Sequence, residues 1–130
     1  MLTTFEEFTD ELNDYERKVL LPKMIQCFEK HIGEETAITN REIVKKMQAH
    51  GYEITDARIR KIVHIIRRHS LVPCLVASSK GYFVADKISQ ISDCIDSLQG
   101  RESAICAVKE ALIAQREVMR EQMKKRQPDA

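Results

Sequence analysis

The residues best suited to chemistry in this chain lie between Asp56 and His69, where Arg58, Arg60, Lys61, His64, Arg67 and Arg68 recur among Ile59, Ile62, Val63 and Ile66. At 100° per residue the isoleucines and the valine form one apolar stripe. The opposite face holds Ala57, Arg60, Lys61, His64 and Arg68, with Arg58 and Ile65 on one flank and Arg67 on the other. A solvated helical face normally mixes signs, yet no acid follows Asp56 within this segment. Guanidinium and ammonium groups gathered on one face suit recognition of a polyanion. The division of charge along the chain agrees. The net charge is only +1, but residues 1–37 hold nine acids against four bases, whereas residues 38–69 hold eight bases against three acids.

Other chemistries find little support in the residue pattern. The glycines Gly33, Gly51, Gly81 and Gly100 are isolated, so there is no dinucleotide fingerprint, and Lys80-Gly81 reverses the order that a phosphate-cradling loop requires. Neither H-E-x-x-H nor an EF-hand loop occurs, and the carboxylates fall in an acidic N-terminal third and a sign-alternating C-terminal segment. Cys27, Cys74, Cys94 and Cys106 have no C-x-x-C spacing and read as reduced, mostly packed thiols. Cys27 and His31 could share a helical face, but His64, His69 and Cys74 do not complete a recognised ligand set. The reading is therefore of a non-enzyme with no metal site and no cofactor.

These residues need elements to carry them. With 130 residues, 43% hydrophobic and 5% aromatic, the chain is sized for one ordinary domain with an aliphatic, mostly helical core. No apolar run reaches the roughly 20 residues of a membrane span, and the acidic start MLTTFEEFTDE is unlike a signal peptide, which predicts a cytoplasmic protein with no membrane partner. Asn13 to His31 predicts a helix capped by Asn13 or Asp14 and stopped by Gly33, with Pro22 forcing a bend or two consecutive helices. Ala37 to Thr39 is a short β-prone step. Thr39 and Glu42 form a T-x-x-E capping box opening a helix over Asn40–His50, which buries Ile43, Val44 and Met47 and ends at Gly51. Thr55 or Asp56 caps the basic helix. Leu71 to Ala85 predicts a hairpin turning at Ser78–Gly81, with Pro73 at an edge, Phe83 facing the core and Tyr82 able to pack on a sugar or base. From Lys87 to about Lys125 the pattern returns to helix, with a break or bend expected near Gly100.

The order helix, short strand, helix, turn, helix, hairpin resembles the winged helix-turn-helix family of DNA-binding proteins. The carriers are TNREIVKKMQAHGY for the supporting helix and turn, ITDARIRKIVHIIRRHSL for the recognition helix and LVASSKGYFVAD for the wing. The whole chain is also similar to small winged-helix proteins borne by prophages, in which a Ser-Lys-Gly-Tyr hairpin leads into a long C-terminal helix. Two departures are a wing with a single lysine and a long supporting turn from His50 to Thr55. The resemblance implies a mainly α fold with a small β hairpin, a winged helix-turn-helix followed by a long C-terminal helix or helical hairpin. It places helix 56–69 in the major groove of double-stranded DNA and hairpin 72–85 as the wing. Arg60, Lys61 and His64 are then positioned for base edges, and Arg41, Lys45, Arg58, Arg67, Arg68 and Lys80 for phosphates.

The organisation expected is an acidic segment over residues 1–12, the winged unit over 13–86, a helical extension over 87–126 and a frayed tail over 127–130. Ile88, Ile91, Ile95 and Leu98 are expected to pack back on the winged unit. Beyond Gly100 an apolar stripe of Ile105, Val108, Leu112 and Met119 needs a matching face, from a helical hairpin or from a second chain. Glu102, Lys109 and Arg116 break a regular coiled coil, and a homodimer through this helix would match a palindromic DNA site. Two function classes follow. One is a DNA-binding transcriptional regulator or phage-type replication or recombination accessory factor; the other is a protein interaction module on a winged-helix scaffold. No small-molecule ligand is evident from the sequence.

Overall fold

A computed structural model describes residues 12–126; most of the expected acidic segment and the expected frayed tail lie outside the described residues. The chain enters through a reciprocal cap. Asn13 Oδ1 accepts from the Glu16 amide at 2.8 Å, and Glu16 Oε1 accepts from the Asn13 amide at 2.9 Å, so two otherwise orphaned donors are satisfied at once. A π-helical stretch, Glu16–Leu20, then runs into α1, Leu21–Glu29. Pro22 lies in the first turn of α1, where the wider i→i−5 pairing of Leu21 with Glu16 gives way to α pairing. The two consecutive helices expected around Pro22 are thus a π-helical and an α-helical stretch meeting at Leu21, and the local widening admits the proline. The helix stops at Glu29, four residues before Gly33.

After a short 3₁₀ turn, Glu34–Thr36, the β-prone step becomes a single bridge, Ile38 pairing antiparallel with Tyr82. The Thr39–Glu42 capping box forms as the spacing predicted and opens α2, Asn40–Ala49. Thr55 accepts the Arg58 amide at 3.2 Å and opens α3, Asp56–Arg68. Strands β1, Leu75–Ser78, and β2, Gly81–Val84, pair antiparallel with Leu75 opposite Val84 and Ser78 opposite Gly81. The hairpin is narrower than residues 72–85. Pro73 sits before the strand rather than on its edge, in a turn where Cys74 takes φ 67°. Gly81 supplies the positive φ, 125°, and more than that: a Cβ there would come within 2.5 Å of the Ile38 carbonyl oxygen. The bridge to Ile38 thus requires glycine as much as the turn does.

One core joins these elements. Leu20, Leu21, Met24 and Phe28 from the first helix meet Ile43, Met47, Ile59, Ile62, Val63 and Ile66 from α2 and α3, all buried. Ile65, expected on the outward flank of α3, is also buried, at 1% exposure; the apolar stripe is wider than four residues, and Ile65 joins the same core cluster as Leu75 of β1. A second, smaller cluster forms on the other side of the hairpin from Val76, Phe83 and Cys94, with Ile91 beside it. The hairpin is therefore covered on both faces.

Helix α4 runs unbroken over Ile88–Arg126, so neither the break nor the helical hairpin expected at Gly100 occurs. A single exposed glycine costs a helix only about 1 kcal/mol, and the run rich in Ala, Glu, Arg and Lys that follows it outweighs that cost. The described residues divide into two compact units between Cys94 and Ile95. Within the first, α4 contributes Cys94 and half-buried Ile91, while Ile88 is 84% exposed. In the second, Ile95, Leu98, Ile105, Val108, Leu112, Ile113, Val118, Met119 and Met123 are all exposed. Ile88, Ile95 and Leu98 do not pack as the sequence led us to expect. No described helix is long and apolar enough to cross a membrane.

Candidate nucleic-acid interface

The outward face of α3 is built by subtraction. Ile59, Ile62, Val63, Ile65 and Ile66 are drawn into the core, and Arg60, Lys61, His64 and Arg68 remain exposed. Arg60, His64 and Arg68 follow one another at intervals of four residues, one row along the helix. Their surroundings differ. Arg60 Nη2 lies 3.5 Å from Asp56 Oδ2 in an exposed i,i+4 pair, which is weak enough to be exchanged for another anion. His64 and Arg68 have no ion pair among the described residues.

Lys61 and Arg58 are differently placed. Lys61 Nζ lies 3.3 Å from Glu16 Oε1 and Arg58 Nε 3.9 Å from Glu16 Oε2, and the Glu16 side chain is only 3% exposed. The Arg58 guanidinium also stands 5.8 Å from the Tyr15 ring centroid, within range of a cation–π contact. Both cations are committed to a buried carboxylate of the first helix. Lys61, predicted for base edges, and Arg58, predicted for phosphate, thus have structural partners. Glu16 escaped the sequence reading because its acidic type fitted the generally acidic N-terminal third; the N-x-x-E spacing from Asn13 was the available signal.

Arg67 is likewise engaged. Half-buried, it donates from Nη2 to Cys94 Sγ at 3.3 Å, and that thiol in turn faces the Ala77 carbonyl at 3.8 Å. Arg67 therefore ties α3 to the first turns of α4 behind the hairpin. Arg41 and Lys45 on α2 are exposed, without an ion pair among the described residues. Lys80 stands at the hairpin tip as expected, with its Nζ 3.0 Å from Glu34 Oε1 in a half-exposed pair. The Ser78 hydroxyl accepts the Lys80 amide at 3.1 Å and so fixes the tip.

Tyr82 is half-buried and its ring packs into the core. Its ring meets Phe28 edge to face at 5.7 Å, and burial raises its phenol pKa above 10.0, against the lowering effects of an Asn40 hydrogen bond and of the charges of Arg60 and Arg67. Among the thiols, Cys74 is exposed, against the packed reading; Cys94 is buried, and Cys27 and Cys106 are half-buried. The His31 Nδ1 lies 2.6 Å from the Thr36 carbonyl oxygen. Among the described residues no three metal-ligating side chains gather. The structure also contains a small-molecule-sized cavity, of about 290 Å³, lined by residues of α1 and α2 and by Tyr52, which no residue pattern announced.

No protein-family model, curated protein or solved structure matches the chain. Function must be read from these side chains.

Proposed function

We propose that the chain is a cytoplasmic DNA-binding protein of winged helix-turn-helix type. In this reading α3 enters the major groove and the β1–β2 hairpin reaches the neighbouring backbone, serving a transcriptional regulator or a phage-type replication or recombination factor. The observation that carries the reading is the row Arg60, His64 and Arg68, exposed on the outer face of α3 with no acid after Asp56. Arg60 and His64 are assigned to base edges, and Arg68, Lys80, Arg41 and Lys45 to phosphates. Lys61 and Arg58 take part only if DNA draws them from Glu16. Titration of random-sequence duplex at two salt concentrations tests this. Wild type should bind with a steep salt slope, and Arg60→Ala combined with Arg68→Ala should weaken binding and lower that slope by about 1, the share of the Arg68 phosphate contact. Binding that ignores salt, or a double variant that binds like wild type, refutes it.

A second copy of the chain is the proposed partner of α4. Leu98, Ile105, Leu112 and Met119 recur every seven residues and are exposed, the repeat that allows two helices to share a seam. Paired winged units would suit a palindromic site. The same stripe favours the alternative of a protein interaction module, and the two differ in whether duplex DNA binds.

A further inference from the structure

We propose that the cavity between α1 and α2 is a binding site for a small amphiphilic carboxylate, an organic acid with an apolar body. Its apolar lining is presented by half-buried Cys27 and Tyr52 and the edge of Met47, over a floor in which Met24, Phe28 and Ile43 are packed as core. Its rim carries Lys23, Lys30, Lys46 and His50, and no carboxylate lines it. A cavity of about 290 Å³ is at the small end of the range that ligand pockets occupy, and an apolar floor with few convergent polar groups is their usual composition.

The charges are held near the mouth without being neutralised. Lys46 Nζ is directed to Cys27 Sγ at 3.8 Å, and Lys23 Nζ stands 5.9 Å from the Tyr52 ring centroid. The His50 ring is fixed through Nδ1 to the Lys46 carbonyl at 2.8 Å. Among the described residues none of the three lysines forms a salt bridge, although the protein is nearly neutral overall. A cluster of one sign over an apolar floor favours a ligand with one anionic end and an apolar remainder. A bare phosphate would leave the floor unfilled, and a cationic amphiphile would meet the lysines. The site lies apart from the exposed face of α3 and does not depend on DNA binding.

Cys27, half-buried in the lining, provides a local reporter. The full-length protein is alkylated with iodoacetamide in the presence of decanoate, and each cysteine is followed by peptide mass spectrometry, with exposed Cys74 as internal control. Decanoate at ten times its Kd should slow Cys27 alkylation about tenfold and leave Cys74 unchanged. Decyltrimethylammonium and inorganic phosphate should protect neither. Lys46→Gln, at an exposed position, should weaken decanoate binding by about three- to tenfold. The proposal is overturned if decanoate leaves Cys27 reactive, if it protects Cys74 equally, or if the cationic amphiphile protects Cys27 as well as decanoate does. The wild-type measurements decide the matter whether or not the variant folds.

Discussion

Replacing Lys61 should destabilise the fold, although its side chain is 42% exposed. The Glu16 carboxylate opposite is 3% exposed and takes cations at 3.3 Å from Lys61 and 3.9 Å from Arg58. At an effective dielectric of about 20 these separations correspond to gross attractions of about 5 and about 4 kcal/mol. Much of that is offset by the hydration the carboxylate gives up, several kcal/mol for a buried ion. Lys61→Ala leaves the hydration loss in place and removes the nearer cation, so we expect a net cost of about 2 kcal/mol, against the roughly 0.5 kcal/mol usual for an exposed substitution. Glu16→Gln removes the buried charge itself, keeps an acceptor for the Asn13 amide and leaves two cations that can turn to water; its cost should be about 1 kcal/mol. In urea denaturation at constant m, the double variant should then cost less than the sum of the two singles by about 1 kcal/mol. A Lys61→Ala variant as stable as wild type, or a coupling near zero, would show that the pair is only a surface contact. A second readout uses the same variant: freed of Glu16, Lys61 and Arg58 become available to phosphate, and Glu16→Gln should bind duplex DNA more tightly than wild type.

Gly81→Ala should cost more than about 2 kcal/mol, since its φ is 125° and its Cβ would lie 2.5 Å from the Ile38 carbonyl oxygen; a melting temperature equal to wild type would refute the close approach. Gly100→Ala, where nothing lies within 4 Å of an added Cβ, should instead stabilise α4 by up to about 1 kcal/mol, measured by helical circular dichroism on heating. The phenol of Tyr82 has its pKa raised by burial, so the folded state keeps a proton that the unfolded chain loses above about pH 10. Stability from this group is intact below that pH and falls as pH rises toward the folded pKa, and Tyr82→Phe should abolish that share of the alkaline loss in denaturation midpoints compared at pH values on either side of 10. Ile105→Glu with Leu112→Glu, both at exposed positions, should turn a dimer into a monomer in sedimentation equilibrium of the full chain; a wild-type monomer through the micromolar range would leave α4 without its proposed partner.

Local signals carried much of this fold into the sequence, and their reach explains where reading stopped. Thr39 and Glu42 are three residues apart and satisfy each other's backbone, so the start of α2 was legible from four positions. The hairpin turn and the apolar stripe of α3 were legible for the same reason. Charge partners are different, because Glu16 and Lys61 are 45 residues apart and nothing in either neighbourhood marks the other. A basic helix read alone therefore overstates the cations it can offer a polyanion: Lys61 on the outward face and Arg58 and Arg67 on its flanks were all assigned to DNA, yet the first two are held by Glu16 and the third by Cys94. The cavity escaped for a related reason, since its lysines come from α1 and α2 while its floor is made of the residues that any core helix would bury. Arg60, His64 and Arg68 survive that sorting. A row of three, spaced four apart and facing away from the core, is a narrower surface than the whole basic helix, and it is the share of α3 that the proposed DNA complex would use, beside Arg41, Lys45 and Lys80, with the Glu16 pairings intact.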